Sequence, residues 1–254
     1  MPAVSKVKPQ PTVVAVVSPP DNVMLSAMPR DDPQFEFLVA NDLDTLLKFP
    51  NIADVETVLW VPPGSPQVLI DLWPHVPQVK WAHGFFAGVD ALKDFMKERL
   101  LDGKVPLSNG RGAFSESLAE YILAASLHFN KQIPRCQQNR REKKWDKFVM
   151  NTMQGKTMGF VGFGHIGQCA AKAAKAAFGM KIIALRRDVS KGDNYGGVAD
   201  ETFGPDQKLE VFKQSDFVVC VLPGTEQTRD FCSTAEFAAM KPSGVFISCG
   251  RGMF

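Results

Sequence analysis

Short apolar runs alternate along this chain with stretches whose apolar residues recur at helical spacing. That alternation predicts an α/β architecture with parallel strands. In the first part, Thr12–Val17, Phe35–Val39 and Val55–Val61 predict strands, and Gln78–Ala82 a shorter fourth. Asn41–Lys48, Pro66–Trp73 and Val89–Leu101 predict helices or helical turns between and after them. Pro19-Pro20, Pro62-Pro63-Gly64, Gly84 and Gly103 punctuate the joins. Together these make a small doubly wound unit.

From Ser115 to about Gln138, apolar residues at Leu118, Ile122, Ala125, Phe129 and Ile133 keep helical spacing, which predicts one long helix. Ser115, Glu116 and Glu120 suit its start. Beyond Gln154, strands are expected at Lys156–Val161, Lys181–Leu185, Phe217–Leu222 and Gly244–Ser248. Helices are expected at Ile166–Phe178, Lys208–Lys213 and Thr234–Met240. The resulting division is a short disordered leader over 1–12, a first domain over 13–108 and a second over 109–254.

Composition adds boundaries rather than chemistry. Apolar residues at 45% and charged residues at 22% are ordinary for a globular chain of 254 residues. The net charge is 29 − 27 = +2, which gives no argument for nucleic acid or an anionic membrane. The basic run Arg135–Lys147 reads first as a solvated face, although RNA or DNA binding stays open as a reading. No apolar run reaches the ~18 residues of a membrane span. Residues 1–12 hold three prolines and two lysines but no apolar core of signal-peptide length. Five cysteines without a C-x-x-C pair, and four scattered histidines, argue against a zinc site and for a reducing, cytoplasmic setting.

The strongest local signal is Gly162-Phe163-Gly164-His165-Ile166-Gly167, which follows an expected strand and opens an expected helix. Gly162 permits the tight turn, Gly164 lets the backbone approach a pyrophosphate, and Gly167 lets the helix pack on the sheet. Free N–H groups and the macrodipole at the helix start favour negative charge there. Arg186 lies 19 residues beyond Gly167, where an NAD site usually places an acid on the ribose hydroxyls. Arg186-Arg187 instead suit a 2′-phosphate, which favours NADP, with NAD as the alternative through Asp188. His165 stands at a free position of the motif, within reach of phosphate or as a bystander.

With these residues in hand, the chain resembles the D-isomer-specific 2-hydroxyacid dehydrogenases, a group that includes glyoxylate and hydroxypyruvate reductases. Five ordered segments carry the resemblance, over roughly residues 55–254. They are Trp81–Asp90 with its A-G-V-D ending, Asn109–Gly112 leading into Ser117–Glu120, and the glycine loop with Phe178-Gly179-Met180. Leu222-Pro223-Gly224-Thr225-Glu226-Gln227-Thr228 is the fourth, and Gly244–Ser248 followed by Arg251-Gly252 the fifth.

The resemblance implies a Rossmann-type doubly wound sheet plus a smaller flavodoxin-like substrate domain. It implies hydride transfer between a nicotinamide cofactor and a small 2-oxo or 2-hydroxy acid. Arg251 resembles the family's catalytic arginine. Backbone N–H groups of Phe85, Phe86, Ala87 and Gly88, in the substrate loop that opens at Gly84, would hold the substrate carboxylate. Gly162 to Gly167, Arg186, Arg187, Leu222, Pro223, Thr228, Cys249 and Gly250 would line the cofactor. Homodimers formed through the 115–138 helix are expected. The family carries a glutamate and then a histidine beyond the R-G motif, and this sequence stops at Phe254, so the reading expects a truncated chain of very low activity. His83, the histidine nearest the substrate loop, reads as packed within the first domain. The other reading is a non-catalytic dinucleotide-binding protein that acts through a partner.

Overall fold

The computed structural model describes residues 10–188 and 197–251. Most of the expected leader, residues 1–9, and Gly252 of the R-G pair lie outside the described residues. The chain divides into two units, residues 1–111 and 112–254.

In the first unit the strands are β1 (Thr12–Val17), β2 (Phe35–Ala40), β3 (Val55–Trp60), β4 (Trp81–Gly84) and β5 (Leu107–Asn109). Its helices are α1 (Leu43–Leu46), α2 (Pro66–Leu72) and α3 (Lys93–Arg99). The strands run parallel in the order β2-β1-β3-β4-β5, the flavodoxin-like arrangement. Val13, Ala15 and Val17 face Val58, Leu69, Leu72 and Phe95 on one side of the sheet. Val14 and Val16 pack against Leu25 and Val61 on the other. A strand covered on both faces reads as an unbroken apolar run, which is what Thr12–Val17 is.

Two expectations shift here. The fourth strand runs over Trp81–Gly84 rather than Gln78–Ala82, because pairing of Thr57–Trp60 with Trp81–Gly84 sets its register. The expected helix over Val89–Leu101 begins as a short 3₁₀ turn, Asp90–Leu92, before α3.

The second unit opens with α4 (Ser115–Asn130) and α5 (Ile133–Arg141). The single helix expected over Ser115–Gln138 is therefore two. Pro134 has no N–H for the carbonyl of Asn130, and its ring would collide with that carbonyl. The chain turns instead at Gln132, which adopts φ 51° and ψ 42°. Arg135, from the basic run, pairs with Asp146 at 2.8 Å and stacks 4.2 Å above the Phe148 ring.

There follow β6 (Thr157–Val161), α6 (His165–Phe178), β7 (Lys181–Leu185), β8 (Glu201–Phe203), α7 (Lys208–Gln214), β9 (Phe217–Cys220), α8 (Thr234–Ala239) and β10 (Val245–Ser248). The parallel order is β10-β9-β6-β7-β8, which read from β8 is the 3-2-1-4-5 run of a Rossmann sheet. Met158 and Phe160 point to the face covered by Ile122 of α4 and Ala170, Ala171 and Ala174 of α6. Val161, Ile183 and Val218 point to the face covered by Val211 and Phe212 of α7. Alanines along α6 let it lie close to both the sheet and α4. No described helix is long and apolar enough to cross a membrane.

Candidate functional site

The order of the second sheet reverses between β6 and β9, and open α/β sheets hold ligands in the crevice beyond the carboxyl ends of such neighbours. Gly162 leaves β6 with φ +90°, and a Cβ there would stand 3.0 Å from Leu222 Cδ2 and 3.2 Å from the Val221 carbonyl oxygen. The glycine loop and the Leu222-Pro223 turn are thus brought together, as Val221 N–H donates to the Val161 carbonyl at 3.0 Å.

Gly164 is the N-cap of α6, without a side-chain cap, and a Cβ on it would meet nothing within 4 Å. The helix N–H groups of the first turn are therefore uncovered by side chains on the crevice side of the cap. Gly167 is buried, with a Cβ position 3.2 Å from the Gly162 carbonyl oxygen, so the helix start sits directly on the loop. Phe163 turns its ring inward, 5.6 Å from that of Phe160, and Ile166 packs on the same core. This open, uncapped backbone at a helix N-terminus fits a pyrophosphate.

Two side chains that the sequence reading missed shape the loop. Gln168 is buried, and its Nε2 donates to the Phe163 carbonyl at 2.8 Å. Its Oε1 is the buried side-chain atom without a hydrogen-bond partner among the described residues. Ser115, at the start of α4, lies 2.7 Å from Nδ1 of His165, which holds that exposed imidazole at the loop.

The other expected cofactor residues stand at the same edge. Arg186 continues β7, its N–H donating to the Phe203 carbonyl at 3.0 Å, and Arg187 beside it is exposed. Beyond β10, Cys249 N–H donates to the Cys220 carbonyl at 2.9 Å, carrying Cys249, Gly250 and the exposed Arg251 past the end of β9. Burial, and then the neighbouring Cys220, push the Cys249 thiol up, so it stays neutral. Thr228 differs from the expectation of a cofactor contact. It is buried, and its hydroxyl donates to the Pro223 carbonyl at 2.6 Å while accepting from Thr225 N–H at 2.9 Å. It shapes the Leu222–Thr228 turn from inside, and the earlier Thr225 completes that capping arrangement.

In the first unit, the loop after β4 holds Phe85, Phe86, Ala87 and Gly88. Phe85 N–H donates to the Trp60 carbonyl at 3.1 Å, which extends the β3–β4 pairing. The expected set of four amide donors is corrected by that bond, because the Phe85 amide is engaged inside the fold. His83, just before the loop, lies 2.8 Å from Ser108 Oγ, which also accepts from Trp81 Nε1 at 2.7 Å. The His83 ring stands edge-on to that of Phe85, with centroids 5.6 Å apart. Burial holds the His83 imidazole below its ordinary value, and hence neutral. Among the described residues, no cluster of His, Cys, Asp and Glu could hold a metal.

Comparison with known proteins agrees with this geometry. A model of the D-isomer specific 2-hydroxyacid dehydrogenase NAD-binding domain matches residues 123–254. A hydroxypyruvate reductase of Thermotoga maritima is 35% identical over 153 residues, covering 58% of this chain and 46% of that protein. A glyoxylate reductase of Thermococcus litoralis is 30% identical over 193 residues, covering 72% of this chain and 55% of that one. The chain thus spans about half the length of the curated relatives it matches. In fold, it resembles a 2-hydroxyacid dehydrogenase family protein of Aeromonas salmonicida, with a TM-score of 0.72, 24% identity, and coverage of 96% of this chain and 74% of that one. Since the family model takes in more than half of the residues, this chain belongs to the D-isomer-specific 2-hydroxyacid dehydrogenase family.

Proposed function

We propose that this protein is an oxidoreductase that interconverts a short 2-oxo acid and its 2-hydroxy acid, with NADP preferred over NAD. The observation that carries the reading is the meeting of the glycine loop, the Leu222-Pro223 turn and the Arg186-Arg187 pair at one edge of the second sheet. Gly162 to Gly167, with His165 at the helix start, would take the pyrophosphate on backbone N–H groups. Arg186 and Arg187 would take the ribose 2′-phosphate, which a guanidinium fork suits in shape and charge. Leu222, Pro223, Cys249 and Gly250 would line the rest of the crevice, and Thr228 would hold the Pro223 turn in shape.

A bound reduced nicotinamide supplies the hydride. Arg251 would bind the substrate carboxylate and stabilise negative charge as it builds on the C2 oxygen. The guanidinium stays protonated at any working pH, so it acts by charge, and the C2 oxygen would take its proton from solvent water. The 84–88 loop would bind a carboxylate through backbone N–H groups, with Ala87 and Gly88 as donors. Glyoxylate and hydroxypyruvate are the substrates we assign, a class supported by the names of the Thermotoga and Thermococcus relatives.

The test follows an isotope rather than a rate. The chain is incubated with glyoxylate and NADPH deuterated at nicotinamide C4, and glycolate is analysed by mass spectrometry. Deuterium at C2 of glycolate, lost in Arg251→Gln, is the expected result. Unlabelled glyoxylate alone, in a sample that binds NADPH, contradicts the proposal.

The partner we assign is a second copy of the chain. Tyr121 and Phe129 of α4 are 58% and 53% exposed, and Trp145 and Val149 beyond α5 are 87% and 85% exposed. A cleft of about 440 Å³, lined by Leu127, Lys131, Met153, Gln154 and Phe178, opens on the same stretch. So much apolar surface in one segment marks an interaction site. We place the protein in the cytoplasm, a setting supported by its five free cysteines.

A further inference from the structure

Strand β5 pairs with β4 so that Asn109 lies opposite Gly84, at the entrance to the 84–88 loop. The Asn109 side chain uses both ends of its amide. Nδ2 donates to the Ala87 carbonyl at 2.8 Å, and Oδ1 accepts from Arg111 N–H at 3.3 Å. The next residue adds two bonds, as Gly110 N–H donates to the Gly84 carbonyl at 3.1 Å and the Phe86 carbonyl at 3.2 Å. The carbonyls of Gly84, Phe86 and Ala87 therefore all point at the 109–110 segment. Nothing larger than glycine fits at 110, since a Cβ would stand 2.4 Å from the Phe85 carbonyl oxygen.

In a trans peptide the C=O and the N–H of the following residue point opposite ways. Fixing the Phe86 and Ala87 carbonyls inward therefore turns the N–H groups of Ala87 and Gly88 outward, next to each other. Ala87 is exposed and Gly88 half-buried, and neither N–H has an acceptor among the described residues. Two successive N–H groups aimed the same way form a concavity that suits an anionic oxygen.

We propose that Asn109, seated by Gly110, is the positioning residue of the 84–88 loop: by holding the Ala87 carbonyl it sets the direction of the Ala87 and Gly88 N–H groups, and so the loop's affinity for a carboxylate. This rests on the reading of that loop as the carboxylate site, and it adds the side chain that makes the loop a site. The amides bind well only when oriented before the anion arrives, because an unclasped loop must be ordered at the cost of binding.

The test uses the full chain labelled with ¹⁵N and titrated with oxalate. In the unaltered protein, the Ala87 and Gly88 amide resonances should move saturably with oxalate. In Asn109→Leu, which keeps the bulk and removes both hydrogen bonds, oxalate affinity should fall about tenfold, the worth of one well-placed hydrogen bond. The Phe85 amide, held by Trp60, should keep its resonance and slow exchange, which excludes unfolding as the cause. Asn109→Asp keeps the acceptor for Arg111 N–H but removes the donor to Ala87, so its ligand-free Ala87 and Gly88 resonances should already differ from the unaltered protein. Asn109→Leu titrating like the unaltered chain overturns the proposal and leaves the carboxylate reading standing. An unaltered chain whose Ala87 and Gly88 amides ignore oxalate overturns both.

Discussion

Gly162 shows how a single residue ties the fold to the site. Its φ of +90° is a conformation that L side chains rarely adopt, and a Cβ 3.0 Å from Leu222 Cδ2 would push that side chain back by a few tenths of an ångström. Gly162→Ala should lower stability by about 1–2 kcal/mol, the cost of forcing an L side chain into this conformation. The shift of the urea unfolding midpoint at constant slope measures it. His83 carries a pH dependence whose sign is fixed by its burial. Its folded value lies below the ordinary 6.5, so its contribution to stability is complete above pH 6.5 and is lost as pH falls through the folded value. Urea-unfolding stability followed by Trp fluorescence from pH 8 to 5 should hold level down to about pH 6.5 and decline below it, and His83→Phe should flatten the decline. An unchanged decline in His83→Phe would assign it to other groups. The glycines of the loop were legible because their spacing is itself the signal. Asn109, Gln168 and Ser115 were not, because each acts through a bond to a backbone or ring that only the fold brings near. Asn109 and Ala87 are 22 residues apart, and Ser115 and His165 are 50 apart.

At the scale of elements, α4 and α5 separate pattern from stereochemistry. Apolar spacing runs on through Ile133, yet Pro134 stops the helix and Gln132 takes up the turn with φ 51°. Gln132→Gly should therefore stabilise the protein, by about 0.5–1 kcal/mol after glycine's own entropy cost, read as a higher thermal midpoint. A lower midpoint would mean that the Gln132 side chain, which bonds the Val149 carbonyl and Arg135, contributes more than its backbone costs. The long strands were readable as apolar runs because both of their faces are covered. The three-residue strands β5 and β8 were not, since Ser108, Asn109, Glu201 and Thr202 carry no apolar pattern. Pairing with a neighbour makes them strands. The same cause moved β4 onto His83 and Gly84, two residues that propensity alone would leave in a turn.

At the scale of the whole molecule, alternation of strand and helix was enough to predict parallel strands, and the family resemblance implied a Rossmann-type and a flavodoxin-like sheet. Their order came from the structure, and the reversal between β6 and β9 then located the crevice. The exposed aromatic residues of 114–150 belong to this scale as well. Phe129→Glu and Trp145→Glu should each shift the sedimenting species from dimer to monomer. A monomer in the unaltered protein would contradict the assignment of a second copy to that surface. The central claim is that a dinucleotide lies on the β6–α6 loop with a 2′-phosphate against Arg186 and Arg187. Calorimetric titration of NADPH and NADH into the unaltered chain and into Arg186→Asp tests it most directly. The account predicts that NADPH binds at least about tenfold more tightly than NADH to the unaltered chain, an advantage of ~1.4 kcal/mol, and that Arg186→Asp removes or reverses the difference. Equal affinity for both cofactors in the unaltered chain would contradict it.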